Sequence, residues 1–248
     1  SGEKHPLYQE LALEIKTARE ILNSQLEPEY QVHNQITAAK DRHLGFGGLN
    51  AWQPLGRAAY AGETLLVYVG HNTRRTGDTA SLQLVFTQHH AESSALAQTV
   101  NLKVGRNMIT VPQIADKEFE RGGQLYVAYT GNDAADKYAV RISGGISIPV
   151  LDVYGKTESE TTQAVRSYLQ QLEKHVSSLV GGHDQHKDKI SGIAQDRQYD
   201  EKNCILNATD ILMDQMMYSL PASQVWNSIG KSGIEEQIQK LDQALQAM

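Results

Sequence analysis

Residues 104–130 carry the clearest structural pattern in the chain and read Val-Gly-Arg-Asn-Met-Ile-Thr-Val-Pro-Gln-Ile-Ala-Asp-Lys-Glu-Phe-Glu-Arg-Gly-Gly-Gln-Leu-Tyr-Val-Ala-Tyr-Thr. Side chains alternate with a period of two over residues 107–111 and again over 124–130, as they do on the two faces of a strand. Turn-forming residues precede both segments, with Gly105-Arg-Asn107 before the first and Gly122-Gly123 before the second. The stretch therefore predicts an antiparallel pair of strands in an all-β region, and by itself it indicates no function.

Length and composition are those of an ordinary globular protein. The 248 residues suffice for one large domain or two small ones, and 40% of them are hydrophobic. The formal net charge of −6 disfavours nucleic acid or an anionic membrane as a partner, since either would attract a basic surface. No apolar run is long enough to span a bilayer. The single Cys204 excludes an internal disulfide, which is compatible with the cytoplasm and with exported bacterial proteins that do without disulfides.

Seven short extended segments are predicted, with no long helix between them. They cover residues 64–69, 81–87, 97–104, 107–111, 124–130, 138–143 and 146–150. Clusters of turn-forming residues separate several of these segments. This spacing is typical of an antiparallel β-sandwich, which we expect to be entered through a loop over residues 45–63.

Helical patterns flank the predicted sandwich on both sides. Apolar residues recur at three- and four-residue steps over residues 6–26, over 158–180 and after Ser232, which we expect to cap the last helix in a capping box. Gly181-Gly182 should end the second helix. The run 210–220 is ambiguous between strand and helix, and its apolar residues fit a helix better than strict alternation. The predicted fold class is α+β, an antiparallel β-sandwich flanked by an N-terminal helix and a C-terminal helical subdomain.

Phe46, Trp52 and Tyr60 are the candidate ligand-binding residues. They belong to the predicted loop, where aromatic rings among glycines can form a platform on which sugar rings stack. The alternative interpretation is that the rings close one end of the sandwich, because large aromatic side chains are usually buried.

No motif in the sequence assembles an active site. The zinc-binding pattern His-Glu-x-x-His does not occur, nor does Gly-x-Ser-x-Gly. His183 and His186 have a spacing that can bind a metal on a helix, but their polar, glycine-led segment is expected to be a solvated loop. Asp133 and Asp136 lack the spacing of a calcium loop, and Cys204 is expected to be a buried, inert thiol. We therefore predict no catalytic residue and no metal ligand in this chain.

Residues 54–248 resemble the enhancin-type, mucin-degrading zinc metallopeptidases (the peptidase M60-like family). The resemblance rests on short pieces in a consistent order. They are residues 54–63 followed by 65–69, Leu102-Lys-Val-Gly-Arg-Asn-Met-Ile-Thr110, Gly122-Gly-Gln-Leu-Tyr-Val127, residues 142–149, and Tyr218-Ser-Leu-Pro-Ala-Ser223 followed by Val225-Trp226. In that family a β-sandwich leads into a helical part that carries His-Glu-x-x-His and a downstream glutamate.

The resemblance implies either a non-catalytic N-terminal portion of a larger enzyme or a diverged family member without the catalytic part. That parent would be a secreted or surface-anchored bacterial hydrolase acting on host O-glycoproteins, with zinc bound only in the complete family domain. The residue patterns divide the chain into an N-terminal helix and connector over 1–43, which the resemblance does not cover, the sandwich over 44–152 and a helical subdomain over 153–248. The resemblance implies that this last part is the start of a truncated catalytic region. The chain shows no signal peptide, but it opens without Met, so we expect that a leader could have been removed.

Two other interpretations remain open. The chain could be a stand-alone β-sandwich module that binds a glycan or a protein through its loops and through Phe46, Trp52 or Tyr60. It could also be a structural scaffold without a ligand.

Overall fold

The protein is described from a computed structural model, which covers residues 30–32, 52–88, 96–114, 120–131, 133, 136–185, 204–213, 217–229 and 233–247. The predicted helix over residues 6–26 lies outside the described residues. Within the described ranges, no helix is long and apolar enough to cross a membrane.

Two antiparallel sheets form the larger part of the fold. The four-stranded sheet has the order β1 (Tyr30–Gln31), β8 (Tyr138–Ser143), β3 (Thr64–His71) and β6 (Gly105–Thr110). The five-stranded sheet has the order β5 (Leu96–Lys103), β4 (Thr79–Gln88), β7 (Gly122–Tyr129), β2 (Trp52–Tyr60) and β9 (Ile146–Ser147). Side chains from both sheets meet in one hydrophobic core, which confirms the predicted β-sandwich.

The stretch 104–130 contributes one strand to each sheet. Its strands β6 and β7 therefore do not pair with each other, and the expected pair within this stretch is wrong. The predicted alternation is confirmed in β6, where Ile109 is buried and Met108 is 70% exposed. In β7, Val127 faces the sandwich core while Tyr126 is buried on the opposite side of the sheet. The central strand is thus covered on both faces.

The paired glycines lie inside β7 rather than before it. Gly122 has a φ of +118°, which an L side chain rarely adopts. A Cβ on Gly123 would lie 2.5 Å from the carbonyl oxygen of Thr87 on the neighbouring β4. The two glycines therefore let the three central strands of this sheet approach one another.

A smaller sheet and three helices cover the outer face of the five-stranded sheet. The sheet consists of β10 (Val150–Asp152), β11 (Thr209–Leu212) and β12 (Met217–Leu220), with β10 and β11 parallel and β11 and β12 antiparallel. The described helices are α1 (Glu158–Gln185), α2 (Ala222–Ile229) and α3 (Ile234–Gln246). Together they enclose a second core, and the α+β class is confirmed.

The predicted loop over residues 45–63 is wrong in its second half. Trp52–Tyr60 forms β2, which pairs with β7 on one side and with β9 on the other. Among the described strands, β9 pairs with β2 only at Arg57 and Ala58, so no described strand pairs with that side of β2 at Pro54. A proline, which has no backbone N–H donor, is tolerated at such a position. The register shifts between Pro54 and Arg57, where Gly56 has a φ of +61°.

Three predictions in the C-terminal part are also wrong. Helix α1, the second of the predicted helices, continues to Gln185, past the expected stop at Gly181-Gly182. The run 210–220 contains β11 and β12 instead of a helix, because pairing with β10 overrides its helical pattern. The N-cap position of α3 is Gly233, without a side-chain cap, and not Ser232.

Candidate functional site

The structure does not bring the predicted aromatic residues together. Phe46 lies outside the described residues. Trp52 begins β2 and is half-buried, with its ring 6.0 Å from that of Tyr126. Tyr60 ends the same strand, and its side chain is fully buried. Ligand binding by these three residues stays a prediction, and Tyr60 has no exposed surface to offer.

Tyr60 lies in an environment that disfavours ionisation. Burial raises the pKa of its hydroxyl, and the nearby Glu120 carboxylate raises it further. Its ring packs with Ala58, Ile148 and Leu206. The position is that of a core tyrosine between the sandwich and the second layer.

Polar contacts join the sandwich to the second layer along a line that we call the seam, formed by Glu120, Gln124, Tyr126, Ile205, Asp210 and Ser219. Gln124 Nε2 donates to the Ile205 carbonyl oxygen at 2.7 Å. The Ile205 backbone N–H donates to Glu120 Oε2 at 2.9 Å. Both side chains are buried, so these bonds are shielded from water and hold residue 205 against β7.

Asp210 is the most unusual group of the seam. Tyr126 Oη donates to Asp210 Oδ1 at 2.8 Å and lies 3.3 Å from Ser219 Oγ. The carboxyl is 1% exposed, and no hydrogen-bond donor reaches its Oδ2 in the part of the chain that the structure describes. Burial raises the pKa of Asp210 to about 7, and the Tyr126 and Ser219 hydroxyls oppose this only in part.

A carboxyl with a pKa near neutrality is a frequent mark of an active site, but this one has no access to a substrate. The neighbouring Tyr126 is itself buried. Burial raises the pKa of its hydroxyl, and the negative charge of Asp210 raises it further. The Tyr126–Asp210 hydrogen bond joins the second layer to the sandwich.

The segment 204–208 is held by side chains from several elements. His175 on α1 lies with Nε2 2.8 Å from the Leu206 carbonyl oxygen, and burial lowers the pKa of this histidine. Asn207 exchanges two hydrogen bonds with Ser223 at the start of α2, at 2.9 and 3.0 Å. The segment therefore links the sandwich, α1 and α2.

Cys204 begins this linking segment, and its thiol is buried as predicted. Burial raises the pKa of the thiol, and the Glu120 carboxylate raises it further. Since the thiolate is the reactive form, the side chain is a poor nucleophile.

A second polar cluster lies at one end of the sandwich around Asp136. His71 Nδ1 accepts hydrogen bonds from the backbone N–H groups of Thr73 and Arg74, at 3.0 and 2.8 Å. Its Nε2 therefore carries the proton and donates to Asp136 Oδ1 at 3.1 Å.

The other carboxylate oxygen of Asp136 accepts from Arg74 at 3.3 Å and from the Tyr129 hydroxyl at 3.1 Å. Partial burial raises the pKa of Asp136, but the bonds from His71 and Tyr129 and the charge of Arg74 outweigh this and hold the pKa below its usual value. Because donors occupy both oxygens, the cluster is a clamp between two loops rather than a calcium site.

Among the residues that the structure describes, no three His, Cys, Asp or Glu side chains come together in a way that could hold a metal ion. His183 lies in α1, but its side chain is outside the described set, as is all of His186. The described residues therefore do not fit the zinc ion of a metallopeptidase.

The fold is shared with solved metallopeptidases. The chain is similar to the ZmpB metallopeptidase from Clostridium perfringens, at 21% identity and a TM-score of 0.58, over 82% of this chain and 36% of that one. It is also similar to the M60 catalytic domain of ZmpC from the same organism in complex with the sialyl T antigen, at 17% identity and a TM-score of 0.53, over 81% of this chain and 35% of that one.

A third similar structure is a metallopeptidase in complex with Tn antigen, at 13% identity and a TM-score of 0.52, over 82% of this chain and 31% of that one. No protein-family model and no curated protein matches the sequence. The chain spans about a third of the length of these solved structures. At these identities the similarity shows the M60-like fold.

Two of the seam residues were missed by the sequence analysis. Asp210 is a lone acid beside the apolar run Ile211-Leu-Met213, and Glu120 precedes the paired glycines. An isolated acid in an apolar segment is a usable signal, because such a group must find a partner when it is buried. The identity of the partner, here Tyr126, depends on pairing across the two layers.

Proposed function

We propose that this chain is the non-catalytic N-terminal portion of a secreted or surface bacterial zinc metallopeptidase that resembles mucin- and O-glycoprotein-degrading enzymes. The observation that carries the proposal is the M60-like fold over more than four-fifths of the chain, in a sequence without His-Glu-x-x-His. The chain would act as the scaffold on which the catalytic part is built.

The seam supports a scaffolding role. A sandwich and a second layer are joined by buried hydrogen bonds from Gln124, Glu120 and Tyr126, so the two parts keep a defined relative position. A catalytic region that continues from the second layer would inherit that position.

Zinc would be held by residues other than those described. When bound, zinc polarises a scissile carbonyl and activates a water molecule. In the proposed arrangement the residues of this chain contribute support to that site and no ligand to the metal.

The partner of the parent enzyme would be a host glycoprotein. Two of the similar structures hold O-glycan antigens, the sialyl T antigen and the Tn antigen. The proposal extends that class of ligand to the parent of this chain.

Incubation of the chain with a mucin-type glycoprotein and Zn²⁺ tests the proposal. We expect no cleavage products by mass spectrometry, while the ZmpB metallopeptidase used as a positive control should cleave. Translation of the gene beyond the codon for Met248 should also encode His-Glu-x-x-His within about the next hundred residues. Cleavage by the chain alone, or a continuing reading frame without the motif, would contradict the proposal.

A stand-alone binding module is the second candidate. The observation that favours it is the solvent-facing side of the four-stranded sheet, which carries an exposed Met108 and two arginines. A binding module would bind its ligand as an isolated chain, without any further domain, whereas a scaffold would bind no ligand.

A further inference from the structure

We propose that the outer face of the four-stranded sheet, defined by Leu66, Tyr68, Arg106, Met108 and Arg141, binds a carboxylate-bearing glycan. The proposal deepens the proposed function, on whose glycoprotein partner it rests, by naming a site and a class of ligand. The outer face is the side of the sheet that points away from the sandwich core.

Strand register places these side chains in two adjacent rows. Tyr68 on β3 lies directly opposite Arg106 on β6 and opposite Arg141 on β8. Leu66, two residues before Tyr68, lies opposite Met108 and Ser143. Residues two apart on a strand share a face, so both rows point to the same side.

The intervening residues confirm which side this is. Val67 and Ile142, which alternate with the residues of the two rows, are completely buried in the sandwich core. Arg106 and Met108 are exposed, and Tyr68 is partly exposed. The face is therefore open at the β6 edge, where Arg106 and Met108 lie.

Charge argues for an anionic ligand. Among the described strand residues that share this face there are two arginines and no aspartate or glutamate, although the whole chain has a formal net charge of −6. Two arginines on the strands either side of Tyr68 are about 9.6 Å apart at the backbone, twice the spacing of neighbouring strands. An anion bound over Tyr68 lies beside the exposed Arg106, while the half-buried Arg141 adds positive charge on the other side of the ring.

The chemistry of the row suits an acidic sugar. A guanidinium binds a carboxylate through two parallel N–H donors, and this geometry gives both strength and orientation. The Tyr68 ring offers an apolar face with a polar hydroxyl at its edge, which fits a sugar ring that is apolar on one face and hydroxylated at its rim. Leu66 and Met108 extend the apolar surface by one row.

A second copy of the chain fits this face less well. A stable protein interface buries about 800 Å² on each partner, whereas the apolar part of the outer face consists of Leu66, Met108 and the Tyr68 ring. A small acidic glycan needs no larger area than that, because its affinity depends on the charged contact.

Titration with 3′-sialyllactose, followed by NMR or calorimetry, tests the proposal, with lactose as the neutral counterpart. We expect sialyllactose to bind and lactose to bind at least about tenfold more weakly, since the carboxylate contact is a charged hydrogen bond. Arg106→Ala should weaken sialyllactose binding by a similar factor, and Arg106→Lys by less. Binding should also weaken as salt is raised.

Arg166→Ala is the matched control, because Arg166 is an exposed arginine on α1, away from the sandwich. Its binding should equal that of the unchanged chain. Absence of sialyllactose binding, equal binding of lactose, or an equal loss in Arg166→Ala would each overturn the proposal. Tighter binding of a poly-glutamate peptide, or a dimer that Arg106→Ala dissociates, would overturn it in favour of a protein partner.

The outcome is separable from that of the proposed function. Loss of the glycan site would leave the zinc and mucin cleavage result unchanged. Cleavage of mucin by the chain alone would reject the scaffold role without altering the titration.

Discussion

Replacement of Asp210 by asparagine should stabilise the protein progressively more as the pH rises from acid to weakly alkaline. The Asp210 carboxyl is 1% exposed and accepts a hydrogen bond from Tyr126 at 2.8 Å. Its pKa in the folded protein is about 7. An asparagine of the same shape keeps an oxygen for the Tyr126 hydroxyl and carries no charge at any pH.

The direction of this pH dependence follows from the difference between the pKa of Asp210 in the folded state and its pKa in the unfolded state. The folded state binds the Asp210 proton more strongly than the unfolded state, so the neutral carboxyl stabilises the fold fully below about pH 4, the ordinary pKa of aspartate. That contribution is lost as the pH rises towards the folded pKa of about 7. A difference of about three pKa units corresponds to ~4 kcal/mol.

Urea unfolding of both proteins between about pH 4 and pH 8 measures the effect. The free energy of unfolding of Asp210→Asn, minus that of the unchanged chain, should rise by ~4 kcal/mol over this range and should level off above the folded pKa. Glu173→Gln, at an exposed position on α1, is the control and should show no comparable trend. A difference for Asp210→Asn that does not change with pH would refute the reasoning.

Three further predictions concern other parts of the fold. Gly123→Ala should destabilise the protein by roughly 1–3 kcal/mol or more in thermal denaturation, because the new Cβ would lie 2.5 Å from a neighbouring carbonyl oxygen. Gly70→Ala is the control and should be tolerated, because its Cβ would lie 3.8 Å from the nearest atom. Asp136→Ala should lower the melting temperature at neutral pH, because it removes the acceptor of the His71 hydrogen bond. This loss should shrink as the pH falls through the lowered pKa of Asp136. An equal loss at all pH values would contradict the clamp. The Cys204 thiol, buried and with a raised pKa, should react with iodoacetamide only after unfolding, and rapid labelling of the native protein would contradict its burial.

The sandwich could be predicted from the sequence because its strands carry a strong period of two. The extended segment at 138–143 matches β8, and those at 64–69 and 81–87 fall within β3 and β4. In β3 and β8 alternate residues are buried, as the period of two predicts. In β4 the alternation holds as far as Leu84, and the rest of the strand is buried on both faces. Local turn residues and burial together determine such strands.

Strand β2 could not be predicted in the same way. Trp52–Tyr60 contains Pro54 and Gly56, which are turn signals, and all but two of its residues are buried, so no alternation is visible. What makes it a strand is pairing with β7 and β9 far along the chain. Tertiary pairing overrides local propensity here, as it does in β11 and β12.

The start of α1 shows that a local signal can also be overlooked. Thr157 and Glu160 form a capping box, in which the Thr157 N–H donates to Glu160 Oε2 at 2.8 Å and the Glu160 N–H lies 3.4 Å from Thr157 Oγ1. The pattern Thr-x-x-Glu was present in the sequence. The seam, in contrast, depends on which buried acid meets which tyrosine, and that contact spans 84 positions of the chain.

The two faces of the sandwich would have different roles in an enzyme that contains this chain. The five-stranded face is covered by the second layer through the Tyr126–Asp210 contact, while the four-stranded face with Arg106 points the opposite way. Since two packed sheets are about 10 Å apart, a glycan on the outer face would lie on the far side of the sandwich from a catalytic region that continues from α3. It would therefore raise the local concentration of a substrate that carries many glycans, without contacting the bond that is cleaved.

Arg106→Ala in such an enzyme should raise KM for a densely glycosylated mucin and leave kcat unchanged, and it should not affect turnover of a short glycopeptide with one glycan. A loss of kcat on the short glycopeptide would show that the outer face acts at the reaction itself and would contradict this arrangement.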